Sequence, residues 1–434
     1  MKILVIGGGG REHALVWKLR QSPQLEHIWC APGNCGIARL AECVAADTKD
    51  VTALVALAER LKPDQTVVGP ELPLVSGIAD EFAARGLRLV GPSKQAARLE
   101  GSKAFAKEFL LRHGIPTGKL YGIYDSAADA HSALRAVDWP CVIKADGLAA
   151  GKGVLVAASP DEAAAFIDRL MVAHEFGAAG ERVVIEEALA GPELSYIILA
   201  DGERIAPLAA CRDHKRIFDG NKGPNTGGMG AYSADGLLGP ALEDRILSTI
   251  VRPTMAALEK ENLPYRGFLY FGLMLTQGGP KVLEFNCRMG DPETQALVVR
   301  MEFDLAAVLL ATAEGRLDPS VVRWKPGAGV TVVMAAAGYP GEPGLGARID
   351  GLAGAELVPG VVVFHAGTRL QENACVVGGG RVLGVTASGP NLPAAAGLCY
   401  DGVAQIRFAG AQYRKDIGAH DSVGGGASAA GTRS

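Results

Sequence analysis

Short apolar runs alternate with stretches of helical periodicity over the first part of the chain. In chain order, the strand-like runs and the helical stretches are KILVIG, 12–21, HIWCA, 51–61, TVVG and 74–85. Strands that alternate with helices form a parallel sheet that is covered on both faces. The pattern therefore predicts an α/β unit with a doubly wound parallel sheet, which closes near residues 89–103.

The rest of the chain combines strands and helices less regularly. A helix begins at Phe105 and ends near His113, where Gly114 and Pro116 follow. The later elements are the strand VIKADG, the glycine-rich loop GLAAGKGV, a helix over 161–171, the strand RVVIEE, the strands of SYIILADGERIAPLAA, a helix over 252–261, the hairpin FLYFGLMLTQGGPKVLEFNCR with its turn at 278–279, and, after Trp324, GVTVVMAAAGYPG and RVLGVTASG. The final stretch, GAHDSVGGGASAAGTRS, is of low complexity and is predicted to be disordered.

Length and charge exclude several classes of protein. At about 150 residues per domain, the 434 residues predict about three domains. The chain has 43 Lys and Arg residues, 47 Asp and Glu residues and no long basic run, so it offers nucleic acid no electrostatic footprint. No apolar run approaches the roughly 18 residues of a membrane helix. The N-terminal MKILVIGGGG is not typical of a signal peptide.

The cysteines are scattered, with no CxxC pair and no cysteine–histidine cluster at zinc spacing. They are Cys30, Cys35, Cys43, Cys141, Cys211, Cys287, Cys375 and Cys399. We therefore expect reduced thiols and a cytoplasmic protein.

The first glycine-rich loop, VIGGGGREHA, connects a strand to a helix. Backbone N–H groups and the helix dipole at such a position form an anion site. A dinucleotide fold is the alternative, but counting from Gly7 its fingerprint needs glycine where Glu12 stands, and the second strand ends in APGN without an acidic residue. Arg11 after the glycines suits a phosphate monoester, because its planar fork can bind phosphate oxygens. A simple tight turn stays a further alternative.

Glu71 in GPELPL follows the end of another predicted strand. Doubly wound sheets bind ligands at the carboxyl ends of their strands, where a carboxylate can accept sugar hydroxyls. A solvated surface position explains Glu71 equally well.

The second glycine-rich loop, GLAAGKGV, does not fit the P-loop pattern, because Gly153 stands where Ser or Thr would hold magnesium. Lys144 precedes this loop and Lys103 precedes the earlier helix. One lysine is usually a solvated side chain, but two lysines that flank a loop of small residues suit a triphosphate. The later segment IEEALAGPE could pair an adenine edge through its backbone and a ribose through Glu193.

The segment LEFNCRMGDPETQ carries the strongest chemical signal. Alternation along a strand puts Glu284, Asn286 and Arg288 on one face. A carboxylate and an amide oxygen are hard ligands suited to magnesium, and an arginine nearby can stabilise a phosphoryl group in transfer. The polar outer face of a hairpin is the alternative.

Five segments together resemble the phosphoribosylamine–glycine ligases of purine biosynthesis, a family of the ATP-grasp superfamily. They are MKILVIGGGGREHA, GPSKQAARLEGSKAFAK, VIKADGLAAGKGV, DHKRIFDGNKGPNTGGMGAYS and LEFNCRMGDPETQ. The resemblance runs in order from residue 1 to about residue 418. It implies an α/β and α+β multidomain protein with an N-terminal domain at 1–102, an ATP-grasp domain at 103–324 with its flap at about 120–190, a small C-terminal α+β domain at 325–418 and a disordered tail at 419–434.

The resemblance also implies the reaction, in which ATP, glycine and 5-phosphoribosylamine give ADP, phosphate and glycinamide ribonucleotide. A glycine carboxylate is a poor electrophile, so it first takes the γ-phosphoryl group to form an acyl phosphate, which the amine then attacks. Phosphoryl transfer needs positioning and charge neutralisation more than a protein nucleophile.

The site residues implied by the resemblance fall into four groups. The nucleotide residues are Lys103, Lys144, Gly147, Gly151, Gly153, Glu186, Glu187, Leu189 and Glu193. The phosphoribosyl residues are Gly9, Gly10, Arg11 and Glu71. Glu284 and Asn286 would bind Mg²⁺ or Mn²⁺, and Lys215 and Arg288 would stabilise the transferred phosphoryl group. Asp213 and Asp291 are candidates for the glycine ammonium, because an uncompensated cation in a closed site is costly; a structural carboxylate is the alternative for both.

Two departures from the family pattern concern the nucleotide site. The strand LYFGLML lacks the second metal carboxylate of many ATP-grasp enzymes, so a second magnesium would rest mainly on Glu284 and ATP. Pro192 stands where the family places an acid beside Glu193.

We expect small-molecule substrates, no nucleic acid and no membrane, a monomer rather than a dimer, and transient contact with the enzyme that supplies phosphoribosylamine. Two alternatives stay open: another ATP-grasp ligase or carboxylase, and a nucleotide-binding regulator without catalysis. The first would lack VIGGGGREHA and GPNTGGMG, and the second would have lost groups such as Lys144, Lys215 and Glu284.

Overall fold

The computed structural model describes residues 1–149 and 152–419. The N-terminal part contains β1 (Lys2–Gly7), α1 (Gly10–Leu19), β2 (His27–Pro32), β3 (Glu42–Cys43), α2 (Val51–Leu61), β4 (Gln65–Val68), α3 (Glu71–Ser76), α4 (Ile78–Ala84) and β5 (Leu89–Val90). Its five strands are parallel, in the order β3-β2-β1-β4-β5. The predicted doubly wound sheet is therefore confirmed.

The strand order reverses beside β1, because the chain builds outward first through β2 and β3 and then through β4 and β5. Ligands of open α/β sheets bind at such a switch point, beyond the carboxyl ends of the strands. Both predicted phosphoribosyl segments lie there: the glycine-rich loop follows β1, and Glu71 opens α3 directly after β4.

A second sheet lies in the region, about 120–190, in which the sequence predicts a flap, and we refer to this region as the flap. The helices α5 (Arg98–Gly101) and α6 (Lys103–Arg112) precede the flap, which contains β6 (Leu120–Tyr124), α7 (Ala127–Ala133), β7 (Cys141–Ala145), β8 (Val154–Ala157), α8 (Pro160–Ile167) and β9 (Val183–Glu187). The antiparallel sheet has the order β6-β9-β7-β8, and a π-helical turn at Asp168–Val172 extends α8 over the predicted helical stretch. Ile143, Phe166 and Ile185 belong to a hydrophobic core of the flap's own.

A third sheet has the order β11-β10-β16-β17 and lies in the region in which the sequence predicts nucleotide binding. We call it the floor sheet. The elements here are β10 (Glu193–Ala200), β11 (Ile205–Pro207), β12 (Arg212–Asp213), β13 (Arg216–Phe218), β14 (Lys222–Asn225), β15 (Gly230–Ala234), α9 (Pro240–Ile246), α10 (Arg252–Lys260), β16 (Gly267–Thr276), β17 (Gly279–Asn286), α11 (Glu293–Val298) and α12 (Leu305–Ala313). The hairpin of β16 and β17 turns where the sequence predicted, and Gly279 has a φ of +117° that favours glycine. Phe271 and Phe285 on this sheet share one core with Leu4 and Ile6 of β1.

The C-terminal part adds β18 (Ala328–Ala335), α13 (Leu352–Glu356), β19 (Val361–His365), β20 (Thr368–Gln371), β21 (Ala374–Val377), β22 (Arg381–Gly389) and α14 (Leu392–Gln405). Its main sheet has the order β12-β15-β18-β22-β19, so two strands of the central part complete it. This pairing brings the first residue of β22, Arg381, within hydrogen-bond distance of Asp291.

None of the described helices is long and apolar enough to span a membrane. The predicted nucleotide residue Gly151 and the predicted disordered tail beyond Ala419 lie outside the described residues.

Candidate active site

One cavity of about 850 Å³ opens where the N-terminal switch point, the flap, the floor sheet and the start of β22 meet. Most residues that the sequence assigned to chemistry line it. They are Arg11, Glu71, Lys103, Lys144, Gly153, Glu186, Glu187, Leu189, Glu193, Asp213, Lys215, Glu284, Asn286, Arg288 and Asp291. Residues predicted for two different substrates thus share a single space.

Three of the predicted glycines do not line the cavity themselves. A Cβ atom on Gly9 would lie 2.8 Å from Glu12 Oε2, and one on Gly10 would lie 2.6 Å from Gln295 Nε2. Gly147 is held in the flap by its N–H, which donates to Ala179 O over 3.2 Å. These positions shape the backbone behind the site, where larger side chains would clash.

Arg11 and Glu12 occupy the start of α1. Glu12 accepts a 2.6 Å hydrogen bond from the Gly9 N–H and another of 2.6 Å from Arg11 Nε. Arg11 is 7% exposed and its Nη1 reaches Met289 O at 3.4 Å. Glu12 therefore already caps the helix end that the sequence assigned to a phosphate, and it holds the Arg11 guanidinium at the cavity wall.

Arg288 connects the switch point to the floor sheet. Its Nε lies 3.3 Å from Glu71 Oε2, and its Nη2 lies 2.9 Å from Glu100 Oε1. Burial opposes ionisation of Glu71, but Arg288 and Arg11 hold its pKa below the usual value. Burial raises the pKa of Glu100, although Arg288 opposes that shift. Glu100 also accepts a 2.7 Å hydrogen bond from the Cys287 N–H, so it orders both the backbone just before Arg288 and the Arg288 side chain.

The predicted alternation along β17 is present. Phe285 and Cys287 are buried in the core, whereas Glu284, Asn286 and Arg288 line the cavity. The burial of one face and the polarity of the other follow from the period of two along a strand. The carboxylate and amide oxygens of Glu284 and Asn286 thus lie on the same face, and this hard donor set fits Mg²⁺ or Mn²⁺.

Lys215 lies between two carboxylates of this region. Its Nζ is 3.0 Å from Glu193 Oε2 and 3.5 Å from Glu284 Oε1. Burial opposes the charged form of Lys215, but Glu284 and Glu193 raise its pKa well above the usual value. Burial likewise opposes ionisation of Glu284, while Lys215 and Lys144 hold its pKa below the usual value. Both groups are therefore charged at neutral pH.

Glu186 joins two flap-side lysines. Its carboxylate forms ion pairs with Lys144 Nζ and, at 2.6 Å, with Lys107 Nζ. Lys144 Nζ also donates to Leu283 O over 2.9 Å, which ties the flap to the floor sheet. Burial opposes ionisation of Glu186, but the two lysines hold its pKa below the usual value. The Glu186 carboxylate is therefore paired with two lysines. This leaves open the prediction that the backbone of its segment pairs with an adenine edge.

Lys103 stands at the first position of α6, and its Nζ donates to Gly147 O over 3.1 Å. Burial lowers the pKa of Lys103, and the nearby Glu284 offsets this only in part. Leu189 and Glu187 line the cavity as predicted, and Glu187 Oε2 accepts a 2.9 Å hydrogen bond from the Lys119 N–H.

The two candidates for a glycine ammonium differ in their partners. Asp291 Oδ2 pairs with Arg381 Nη2 at 2.9 Å, and its Oδ1 accepts from Gln295 Nε2 at 2.8 Å. Asp213 Oδ1, by contrast, is buried without a hydrogen-bond partner among the described residues. Burial and the neighbouring Glu293 raise the pKa of Asp213 well above the usual value. Among the described residues Asp213 Oδ1 thus has no hydrogen-bond partner, and Lys215 and Arg381 offset its raised pKa only in part.

Several charged residues of this cavity were not predicted from the sequence, among them Glu100, Lys107, Glu293 and Arg381. Lys107 follows Lys103 by four residues, so helical spacing could have placed both on one face. Glu293 lies inside the DPETQ segment but was given no role, and Glu100 precedes Lys103 in RLEGSK. No local signal marks Arg381, which reaches the site only through sheet pairing.

Comparisons with known proteins agree with this geometry. Family models described as phosphoribosylglycinamide synthetase match the chain with an N domain at residues 1–100, an ATP-grasp (A) domain at 101–294 and a C domain at 329–420. A protein of Ralstonia nicotianae named phosphoribosylamine–glycine ligase is 50% identical over 419 residues, which cover 96% of this chain and 99% of that protein. A protein of Allochromatium vinosum with the same name is 50% identical over 423 residues, covering 96% and 98%.

Solved structures give the same picture. The crystal structure of phosphoribosylamine–glycine ligase from Thermotoga maritima has a TM-score of 0.84 and 33% identity, and the match covers 96% of this chain and 100% of that one. A biotin carboxylase of Campylobacter jejuni has a TM-score of 0.72 at 14% identity, covering 95% and 92%, which shows a shared fold alone. The chain belongs to the phosphoribosylglycinamide synthetase family.

Proposed function

We propose that the protein is an ATP-dependent ligase that joins glycine to 5-phosphoribosylamine. In the first step a glycine carboxylate oxygen attacks the γ-phosphorus of ATP, which gives glycyl phosphate and ADP. In the second step the amine of phosphoribosylamine attacks the carbonyl carbon and phosphate leaves, which gives glycinamide ribonucleotide. The single observation that carries the proposal is that one cavity holds both the switch-point groups and the nucleotide groups, joined by Arg288.

The nucleotide phosphates would lie between the flap and the floor sheet. Lys103 Nζ donates to Gly147 O of the glycine-rich loop, and Lys144 lies on β7, the strand that precedes this loop. A triphosphate carries several negative charges, so cations fixed by Glu186 and by Gly147 O lower the cost of binding it. Leu189 and Glu187 would flank the adenine, and Glu193 would accept the ribose hydroxyls.

Glu284 and Asn286 would hold a divalent cation, Mg²⁺ or Mn²⁺. When bound, the cation neutralises phosphate charge and aligns the phosphoryl oxygens. Lys215 lies 3.5 Å from Glu284, and Arg288 follows on the same face of the strand, so both would face a transferred phosphoryl group. Donors fixed beforehand stabilise the charge of a transition state without reorganisation, which is the role we assign to them.

Asp213 would receive the glycine ammonium. Its buried Oδ1 lacks a hydrogen-bond partner among the described residues, and an ammonium would supply the missing donor. We assign Asp291 a different task, because Arg381 and Gln295 already occupy its oxygens. It would fix Arg381 at the cavity wall.

The phosphoribosyl group would bind at the switch point. Arg11 would contact its phosphate, supported by the Gly9–Gly10 turn, and Glu71 would accept ribose hydroxyls. A phosphate close to the start of α1 would share that position with the Glu12 carboxylate, so Arg11 rather than the Gly9 N–H is the donor we assign to it.

Three further expectations stay predictions from the sequence: a cytoplasmic location, a monomer, and transient contact with the enzyme that supplies phosphoribosylamine. The eight cysteines are free thiols, which fits the first of them.

The test is ADP release with ATP, Mg²⁺ and glycine, with and without phosphoribosylamine formed in place from ribose 5-phosphate and ammonia. The proposal expects release that needs both co-substrates, together with glycinamide ribonucleotide in the mass spectrum. ATP binding without release in any combination would favour a regulator instead. Release with bicarbonate in place of glycine would favour a carboxylase.

A further inference from the structure

Three residues that the reaction does not use meet on the far side of the glycine-rich loop. Cys35 lies in the turn after β2, His365 ends β19, and Cys375 lies on β21. One ligand atom of each residue lies within 4.8 Å of those of the others. Their separation along the chain explains why no zinc spacing is visible in the sequence.

We propose that Cys35, His365 and Cys375 form a binding site for a soft divalent cation, Zn²⁺, which clamps the N-terminal part of the chain to its C-terminal part. Two thiolates and an imidazole are the donor set of tetrahedral zinc sites, with a water molecule as the fourth ligand. The proposal concerns this site alone and is independent of the reaction in the main cavity.

The two sulfur atoms lie close enough together to bind one ion. Cys35 Sγ and Cys375 Sγ are 2.7 Å apart, which exceeds the roughly 2.05 Å of a disulfide bond. Zinc–sulfur bonds of about 2.3 Å set the two sulfurs of a tetrahedral site about 3.8 Å apart, so small rotations of the two side chains reach that geometry. Both cysteines are half-buried, and a metal ion can therefore reach them from solvent.

The imidazole of His365 lies where it can bind the same ion as the two cysteines. His365 is 1% exposed, and its Nδ1 lies 4.0 Å from Cys35 Sγ. Nδ1, the nitrogen on the Cys35 side, also lies 3.2 Å from Thr368 Oγ1, whereas Nε2 has no hydrogen-bond partner among the described residues.

The charged groups around the cluster balance one another. Arg39 pairs with Glu356 through two hydrogen bonds and lies beside the cluster, where it stabilises thiolates. Binding of Zn²⁺ forms two zinc–sulfur bonds and releases the thiol protons, up to two per ion.

The clamp would act on the glycine-rich loop through Asn34, which precedes Cys35. Asn34 Nδ2 donates to Gly8 O and to His365 O, each over 2.8 Å. His365 N–H in turn donates to His13 Nδ1 of α1 over 2.7 Å. A cation that fixes Cys35 and His365 therefore also fixes the backbone of the loop after β1.

The test is titration of the reduced, metal-free full chain with Zn²⁺ against a chromophoric chelator, with thiol counting before and after. We expect one equivalent to bind, two thiols to become protected from a thiol reagent, protons to be released, and the thermal midpoint to rise. Co²⁺ in place of Zn²⁺ should give a thiolate-to-metal charge-transfer band. Cys35→Ser and Cys375→Ser should each lose stoichiometric binding, whereas Cys43→Ser, at an exposed thiol, should keep it.

The wild-type titration decides the question even if a variant does not fold, which circular dichroism would reveal. Absence of stoichiometric binding by the reduced wild-type chain would overturn the proposal. So would binding that Cys35→Ser and Cys375→Ser both retain. Isolation of a Cys35–Cys375 disulfide whose reduced form does not bind Zn²⁺ would replace the metal site by a redox pair.

Discussion

Arg288 Nη2 and Glu100 Oε1 lie 2.9 Å apart; the Glu100 side chain is 6% exposed and that of Arg288 is 17% exposed. Glu100 thus sets the direction in which the Arg288 guanidinium faces the cavity. Glu100 would act on the reaction through Arg288, so we treat it as a positioning residue.

Glu100→Gln should lower kcat by about tenfold or more, because a charge-assisted hydrogen bond contributes about 1.5–3 kcal/mol. The amide keeps an acceptor for the Cys287 N–H, so the fold should persist. In the wild type, kcat should fall as the pH drops through the raised pKa of Glu100, because protonation removes the charge that holds Arg288. The variant should lack this limb of the pH profile.

A control and a double variant sharpen this test. Glu108→Gln changes the same residue type at an exposed position of α6 and should leave kcat unchanged. Arg288→Ala should lower kcat by about 10²–10³, the loss expected for one transition-state donor. Adding Glu100→Gln to Arg288→Ala should then cost little more. Full additivity of the two losses would contradict the coupling.

Lys107→Met should raise the KM for ATP by about tenfold, because Glu186 would keep only Lys144 as a partner and that lysine would turn away from the phosphates. Thermal denaturation should also show a lower midpoint, since a buried carboxylate loses one of its two cations. Lys49→Met, at an exposed lysine, is the matched control. An unchanged KM for ATP would remove Lys107 from the nucleotide site.

Asp213→Asn should weaken glycine binding and abolish its pH dependence. The pKa of Asp213 is raised well above the usual value, so Asp213 carries a proton in the protein without glycine. Asp213 must release this proton before it can pair, as a carboxylate, with the glycine ammonium. The KM for glycine of the wild type should therefore fall as the pH rises toward that pKa and level off above it. Calorimetry in buffers of different ionisation enthalpy would detect the released proton.

The raised pKa of Asp213 should also make the free energy of unfolding depend on pH. The folded chain keeps the Asp213 proton at pH values where the unfolded chain, with a pKa of about 3.9, has released it. The contribution of Asp213 to stability should thus decline as the pH rises from that value through the raised pKa. Asp213→Asn should flatten this slope, whereas Asp244→Asn, at an exposed position, should not. Equal slopes in all three proteins would contradict the buried, protonated state.

Arg11→Ala should raise the KM for phosphoribosylamine and leave the KM for ATP unchanged, because Arg11 lies at the switch point and away from the flap lysines. Steady-state rates with each substrate varied in turn measure both values. Arg60→Ala removes an exposed arginine of the same domain as a control. Equal effects on both substrates would speak against a phosphate site at Arg11.

The sequence predicted those parts of the site that depend on local order. The period of a strand put Glu284, Asn286 and Arg288 on one face, and strand ends located Arg11 and Glu71. It could not predict groups that meet through sheet pairing, such as Arg381 beside Asp291, or Cys35 beside Cys375, which are separated by 340 residues. It also missed that Glu12 caps α1, because the anion site and the capping box use the same N–H groups.

The most direct test of the central claim is isotope transfer from glycine labelled with ¹⁸O in its carboxylate. If glycyl phosphate forms in the shared cavity, the oxygen that attacks the γ-phosphorus leaves with phosphate when the amine attacks. Phosphate from each turnover should carry one ¹⁸O atom, and glycinamide ribonucleotide should keep the other. Unlabelled phosphate, with the ¹⁸O that glycine loses recovered in water instead, would contradict the account.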